Sequence, residues 1–575
     1  MTFAQRFFTA AAIALTLAAL SYGVVYRAAA DKPEFFNLTG IFPGENRPAV
    51  TFDESITASP LLDLSQGRPL LVVAASNGMI AIQNVDTGAL EWRIEVPVPA
   101  GQKAQIVSTP ALIGDKLVVL YQCLEQGRRT SHRLAVIDMT RKQLHDSFPV
   151  LALSAEVPAA DGVATVKFDP PMAFSHSAVK HASKSGTELG YVYASFGNSG
   201  DSQPFHGWIF EIDMDAWRQK GSTSAVSNVL VTTPEAECPV TAPYGTIEMI
   251  CGGGIWTPAG PQVYQTGDDF ELFAPIGNGQ IDLARRDYAN TVMRLKPGLQ
   301  FDPGCDAGLC ANFDPVNPSK ECMASCKNLF IPRLPDNSPP LLPHGGECDD
   351  KTFWECLARM DYDLGANAPI KVDLQNGSSV LVQPGKDGGA YLIDADHLGT
   401  QYDRLQVVEL CGTAEDECTL SWRGMMVTQP VMAYVDQEPV VVLATFVSDK
   451  THPAGLIALK IVLENGRPQF RRLWRFPDPK SQEAVDSFRS HPSLPVIATL
   501  GKKGEPYVWV VDIAKPGMIY GVRLKDGTLA AKGVMQGTGR PLSAPVIHDN
   551  KLYIASTDPD TRKSMIEAYR IELRE

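Results

Sequence analysis

Several things are missing from this sequence, and each absence removes a class of function. Positive charge is in deficit: 51 Lys and Arg stand against 65 Asp and Glu, a formal net charge of −14 over 575 residues. A nucleic-acid binder needs a basic face to displace counterions, so that class is excluded. There is no Gly-x-Gly-x-x-Gly after a strand, no P-loop, no Gly-x-Ser-x-Gly elbow and no His-Glu-x-x-His among ten scattered histidines. No Cys-x-x-Cys-His occurs, which leaves no attachment point for covalent haem, and no two cysteines are neighbours. Past the first thirty residues no apolar run approaches the length that spans a bilayer.

The leader itself is different. Arg6 precedes an apolar stretch from Ala10 to Tyr26, and Arg27-Ala28-Ala29-Ala30 follows it. Charged, apolar and small-residue regions in that order mark residues 1–30 as a secretory signal or, left uncleaved, an N-terminal membrane anchor. Either one exports the remainder, so a periplasmic or secreted location is expected, tethered to the inner membrane if the anchor stays. Eleven cysteines, none of them in the leader, suit an oxidising compartment. Cys238 can pair with Cys251 and Cys411 with Cys418, Cys123 is left over, and six more crowd into residues 301–360 together with eight prolines. Cys322-x-x-x-Cys326 lacks zinc-pair spacing, which favours disulfides over metal. That proline content argues against regular sheet, and the segment reads as a disulfide-stapled cap or a peripheral lobe.

From residue 50 onward one phrase recurs eight times: a small or polar residue and proline, a β-rich run, a turn, and a second strand. Openings such as Ser108-Thr109-Pro110, Trp256-Thr257-Pro258 and Ser543-Ala544-Pro545 lead into runs such as Leu70–Ala75, Ser379–Pro384 and Lys551–Ser556. Each sheet alone leaves apolar faces wet, and radial packing buries them with only short edges exposed. The expected fold is all-β, an eight-bladed β-propeller over residues 50–575 carrying a Cys/Pro-rich insertion.

Several units end in a turn like Asp86-Thr87-Gly88 before Trp92, echoed by Lys525-Asp526-Gly527 and by Gly466 to Trp474. Two segments are more specific: Gly252-Gly253-Gly254-Ile255-Trp256 with Ile276-Gly277-Asn278-Gly279, and Asp361-Tyr362-Asp363-Leu364-Gly365 with Gly385-Lys386-Asp387-Gly388. Together these resemble the quinoprotein dehydrogenases, eight-bladed propellers that bind pyrroloquinoline quinone (PQQ) on the ring axis, and the polyvinyl-alcohol dehydrogenase branch more than the methanol branch. The resemblance implies a calcium- and PQQ-dependent oxidation of a small alcohol. It makes Trp256 the stacking floor, Asn278 a calcium ligand, Asp361 the base that takes the alcohol proton, Asp363 a further ligand, and Lys386 the cation on the quinone oxygens. The glutamate ligand of the family is missing between Asn198 and Gly207, where Asp201 is the one carboxylate able to replace it; His206 stands where a basic residue often lies. With no haem domain, electrons need a separate acceptor such as a cytochrome. Each residue also has a plainer reading: a core tryptophan, a turn asparagine, Asx-turn acids, a Lys-Asp-Gly turn. The alternative function is a non-catalytic ring that binds proteins in the cell envelope.

Overall fold

A computed structural model describes residues 32–44, 47, 49–198, 205–237, 251–335, 351–359, 362–408, 428–445, 454–478, 480–481, 488 and 492–575. The leader lies outside these residues. Strands dominate, and they form an eight-bladed β-propeller. The fourth blade consists of Gln262–Thr266, Asp269–Pro275, Val292–Leu295 and Leu329–Phe330; the fifth of Ile370–Asp373, Ser379–Pro384, Gly389–Asp394 and Gln401–Gln406. The first, third, sixth and seventh blades have the same antiparallel four-strand order, and the second and eighth add short edge segments. The expected run and second strand of each unit are the two central strands of a blade, as in Ser379–Pro384 paired with Gly389–Asp394. Their Val, Ile, Leu and Tyr side chains are buried on both faces, because a blade is covered on both sides by its neighbours.

The packing is circular. Eight buried apolar clusters each join two consecutive blades, the last of them returning from the eighth blade to the first. Closure comes from Phe36–Phe42, which pairs antiparallel with the C-terminal strand Ser564–Leu573 as the outer strand of the eighth blade. The ring therefore starts upstream of the residue-50 limit that the repeats suggest. Around the axis the proline-containing openings are stitched by backbone and hydroxyl hydrogen bonds. Ala544 N donates to Ser59 Oγ and Ser59 N to Thr109 Oγ1, both at 2.9 Å. Val179 N donates to Thr109 O at 2.9 Å and Ala178 N to Pro258 O at 3.0 Å. At Ser59 and Thr109 the small polar residue before proline is thus a link from one blade to the next.

The Cys-rich insertion departs from expectation in one respect. It is not devoid of sheet, since Leu329–Phe330 pairs with Val292 and Met293 as the outer strand of the fourth blade. Two disulfides, Cys305–Cys326 and Cys310–Cys322, fold the chain just before that strand, and together with the helix Lys320–Ser325 they supply the order that so many prolines would otherwise deny it. Cys251 and Cys356 are disulfide-bonded as well, and Cys123 is buried and free. Cys238, Cys348, Cys411 and Cys418 lie outside the described residues. Among the described residues no helix is long and apolar enough to cross a membrane.

Candidate functional site

Because the strands of a blade are antiparallel, the segment entering its innermost strand and the turn between its two central strands lie at the same end. Trp256 and Asp363 sit on entering segments of the fourth and fifth blades; Asn278 and Lys386 sit on the central turns of the same two blades. All four therefore share one end of the ring. The disulfide-linked part of the insertion lies at the other end, where Gly399 N donates to Cys326 O at 2.7 Å.

Glycines bring the four segments together. Gly277 N donates to Gly254 O at 2.7 Å, and a Cβ on Gly365 would fall 2.4 Å from Gly277 N. Any side chain at 365 would force the fifth blade's entering segment away from the fourth blade's turn. Beside this contact the half-buried Trp256 packs against the cluster between the fifth and sixth blades, and Leu542 from the eighth blade packs against the same cluster. Segments from opposite parts of the ring meet here, which places Trp256 beside the axis.

Lys386 lies over the Trp256 ring, Nζ 4.6 Å from its centroid, and 3.0 Å from Asp363 Oδ2. Its backbone N–H also donates to Asp363 O at 3.1 Å. The Lys386 side chain is 3% exposed and that of Asp363 0%, so this is a fully desolvated ion pair backed by an indole face. Apart from the ammonium, no described residue donates a hydrogen bond to either carboxylate oxygen of Asp363. Asn278, also buried, accepts from Gly253 N through its backbone carbonyl at 2.7 Å, while its side-chain amide Nδ2 has no partner among the described residues. Unpartnered buried polar atoms cost free energy, so their clustering at one end of two adjacent blades is a ligand signal. Asp361 and Asp201 lie outside the described residues. His206 belongs to blade packing: its Nδ1 is 2.7 Å from Thr233 O, its ring meets Trp208 edge-on, and burial lowers its pKa.

Two features at this end have partner sets that no motif in the sequence records. Asp387, buried, accepts from Tyr391 Oη at 2.6 Å and from Arg404 Nη2 at 2.5 Å. Burial first, and then the Asp387 charge, push the Tyr391 phenol well above its ordinary pKa, so it remains a donor. The second is Asp287, on a small hairpin of Ile281–Asp282 with Asp287–Tyr288 inserted in the central turn of the fourth blade. It is 1% exposed, and burial, then Glu235 and Asp282, push its pKa up to about 9. Neither could be found by spacing, because each partner set comes from separate strands or loops.

Comparison with known proteins agrees at the level of architecture. No protein-family model matches the chain, and no curated protein matches it. Among solved structures it is similar to a quinohemoprotein alcohol dehydrogenase from Pseudomonas putida, with 11% identity over 94% of this chain and 76% of that one, at a TM-score of 0.52. A quinohemoprotein alcohol dehydrogenase from Comamonas testosteroni gives 11% identity, the same coverages and a TM-score of 0.48. BamB from Moraxella catarrhalis gives 12% identity over 93% of this chain and 99% of that one, with a TM-score of 0.43. At such identities the likeness speaks for the fold alone.

The donor chemistry suits the groups that the resemblance implies. Asp363 and Asn278 offer carboxylate and amide oxygens, the ligand type a hard divalent cation takes. Trp256 offers a flat apolar face, and Lys386 a cation for an anionic guest. Calcium at Asp363 would have to take the place of the Lys386 ammonium, which would then be free to turn to the guest.

Proposed function

We propose that this chain is an exported quinoprotein-dehydrogenase-like enzyme, of the polyvinyl-alcohol dehydrogenase-like branch, that oxidises a small alcohol at the axial end of its fourth and fifth blades. One observation carries this reading: a desolvated lysine held between a buried carboxylate and a tryptophan face, at the meeting point of glycine-rich segments. Trp256 and Lys386 would hold PQQ; Asp363 and Asn278, with Asp201, would hold calcium. When bound, PQQ supplies a two-electron acceptor and calcium supplies Lewis acidity at its carbonyl. The chain's own part is to stack, orient and accept a proton. Asp361, two residues before Asp363 in the sequence, would take the hydroxyl proton of the alcohol. The alcohol loses one hydride and one proton to become a carbonyl, and both electrons leave to a separate acceptor such as a cytochrome. The leader would deliver the enzyme to the periplasm.

The test is addition of PQQ and calcium chloride to the purified chain. The expected result is quinone absorbance that co-elutes with protein and alcohol-dependent reduction of a two-electron dye, with W256A losing binding and D361A losing turnover. The second reading, a protein-binding scaffold in the cell envelope, is favoured by the fact that Lys386 and Asp363 already neutralise each other. Absence of quinone binding by the intact chain would select it.

A further inference from the structure

Lys-Asp-Gly is an ordinary turn tripeptide, and at 386–388 it joins the two central strands of the fifth blade. Its surroundings are not ordinary for a turn. Lys386 reaches toward the axis, to Asp363 and Trp256, whereas Asp387 reaches back into the blade toward Tyr391 and Arg404. Both side chains are buried.

The Asp387 side of the turn is pinned at both carboxylate oxygens and at its backbone carbonyl. Oδ2 accepts from Tyr391 Oη at 2.6 Å and from the Arg404 guanidinium at 2.5 Å, and Oδ1 accepts from Gly389 N at 3.3 Å. Its backbone carbonyl accepts from Gln406 Nε2 at 2.8 Å. Arg404 in turn lies over the Tyr391 ring, Cζ 5.2 Å from the centroid, in space left open by the missing side chain of Gly389. A Cβ there would fall 2.6 Å from Arg404 Nη2. Lysine is a flexible four-carbon stem with a single charge at its tip, so its direction is set by what anchors its base. Here that anchor is the neighbouring residue's charge-assisted network, which is stronger than neutral turn hydrogen bonds.

We propose that Asp387, clamped by Arg404 and Tyr391, is the positioning residue that aims the Lys386 ammonium into the gap between Asp363 and Trp256. Lys386 touches the guest in the function proposed above, and to that extent the inference rests on that reading; the aiming of the ammonium itself does not. Asp387 acts only through Lys386. Loosening the clamp frees Lys386 from both partners, so the anionic guest loses its cation while Asp363 becomes more available to a metal ion. A merely structural role would weaken both ligands together.

Two variants avoid leaving a bare buried charge. Y391F removes one hydroxyl, and D387N/R404Q removes both charges at once. Three readouts follow: the emission of Trp256, taken as the difference from a W256F background; the affinity for PQQ; and the affinity for terbium(III), detected by luminescence sensitised through Trp256. In both variants the Trp256 difference emission is expected to move toward that of K386M. PQQ affinity should fall at least about tenfold, the scale of one charged hydrogen bond, and terbium affinity should rise severalfold. Unchanged Trp256 emission in folded variants, or a parallel fall of both affinities, would overturn the proposal. The emission readout needs no ligand. An intact chain that takes up no PQQ therefore defeats the functional reading, and the positioning claim is still decided.

Discussion

The tripeptide Lys-Asp-Gly occurs twice in this chain, at 386–388 and at 525–527, and the two copies have opposite fates. Both glycines are left-handed, with φ of 74° at Gly388 and 75° at Gly527, and both follow a strand of a central pair. The second copy leads into the outer strand of the seventh blade. There Asp526 accepts from Thr528 N at 3.0 Å, Gly527 lies against the Trp474 ring of the sixth blade, and Lys525 is 37% exposed and 3.5 Å from an exposed Asp436. The first copy lies one turn earlier in its blade, at the axial end, where both its charged side chains are buried. One tripeptide is a rim turn that docks two blades; the other is a buried pair of charges. What differs is which pair of strands the turn connects, and through that, whether the ion pairs of its side chains are partly solvated or fully buried.

The sharpest way to break this comparison is to neutralise both aspartates. D387N leaves the Arg404 guanidinium, 5% exposed at its side chain, without a counter-charge. Stranding one member of a buried pair costs about 3–5 kcal/mol, and urea unfolding should show a loss of that size. D526N should cost at most about 1 kcal/mol, since Arg523 keeps Glu505 at 2.6 Å and the Asp526 side chain is 42% exposed. Equal losses would mean that burial does not separate the two turns.

Strand chemistry is local, and so the eight repeats were legible: Ser379–Pro384, Met79–Asn84 and Trp208–Asp213 stand in the structure at the limits their residues suggest. Pairings between distant segments were not. Phe36–Phe42 finds its partner at the other end of the chain, and no window of residues around it records that. Leu329–Phe330 is a strand only because Val292 and Met293 offer it an edge, inside a segment whose prolines argue otherwise. At the site, Trp256, Asn278, Asp363 and Lys386 could be singled out by motif, but that Lys386 would stand on Asp363 could not. The network of Asp387, Tyr391 and Arg404 has no sequence signature at all, being drawn from a turn and two strands and assembled only by packing. The leader, Asp201 and Asp361 remain expectations.

A buried aspartate whose carboxylate has no hydrogen-bond partner among the described residues sharpens the contrast from the other side. Asp387 has Arg404; Asp287 faces Glu235 and Asp282, with Arg285 nearest those two at 3.7 Å from each. Burial and the two neighbouring carboxylates raise its folded pKa to about 9, above the unfolded value near 4. The folded state therefore keeps a proton that the unfolded state releases, and stability from this site is full below pH 4 and lost as pH rises toward 9. D287N should remove that slope and stabilise the chain by on the order of 2 kcal/mol at pH 7, read from melting curves between pH 5 and 9. A slope that survives D287N would place its origin in another group.

The smallest effect belongs to Lys525, and its contrast with Lys386 separates the two turns most cleanly because neither substitution touches the backbone. Lys525 forms a solvated pair, and such pairs contribute about 0–1 kcal/mol and are screened by salt. K525M should shift stability by less than about 0.5 kcal/mol at 0.15 M salt and leave PQQ binding untouched. K386M removes the one donor that reaches Asp363 among the described residues, so its cost should be severalfold larger and insensitive to salt, because ions in solution do not reach a pair that is 3% and 0% exposed. Salt is the deciding variable: if raising it from 0.05 to 0.5 M moves the K386M penalty as much as any rim pair, the axial lysine is not desolvated, and the distinction between the two copies is lost.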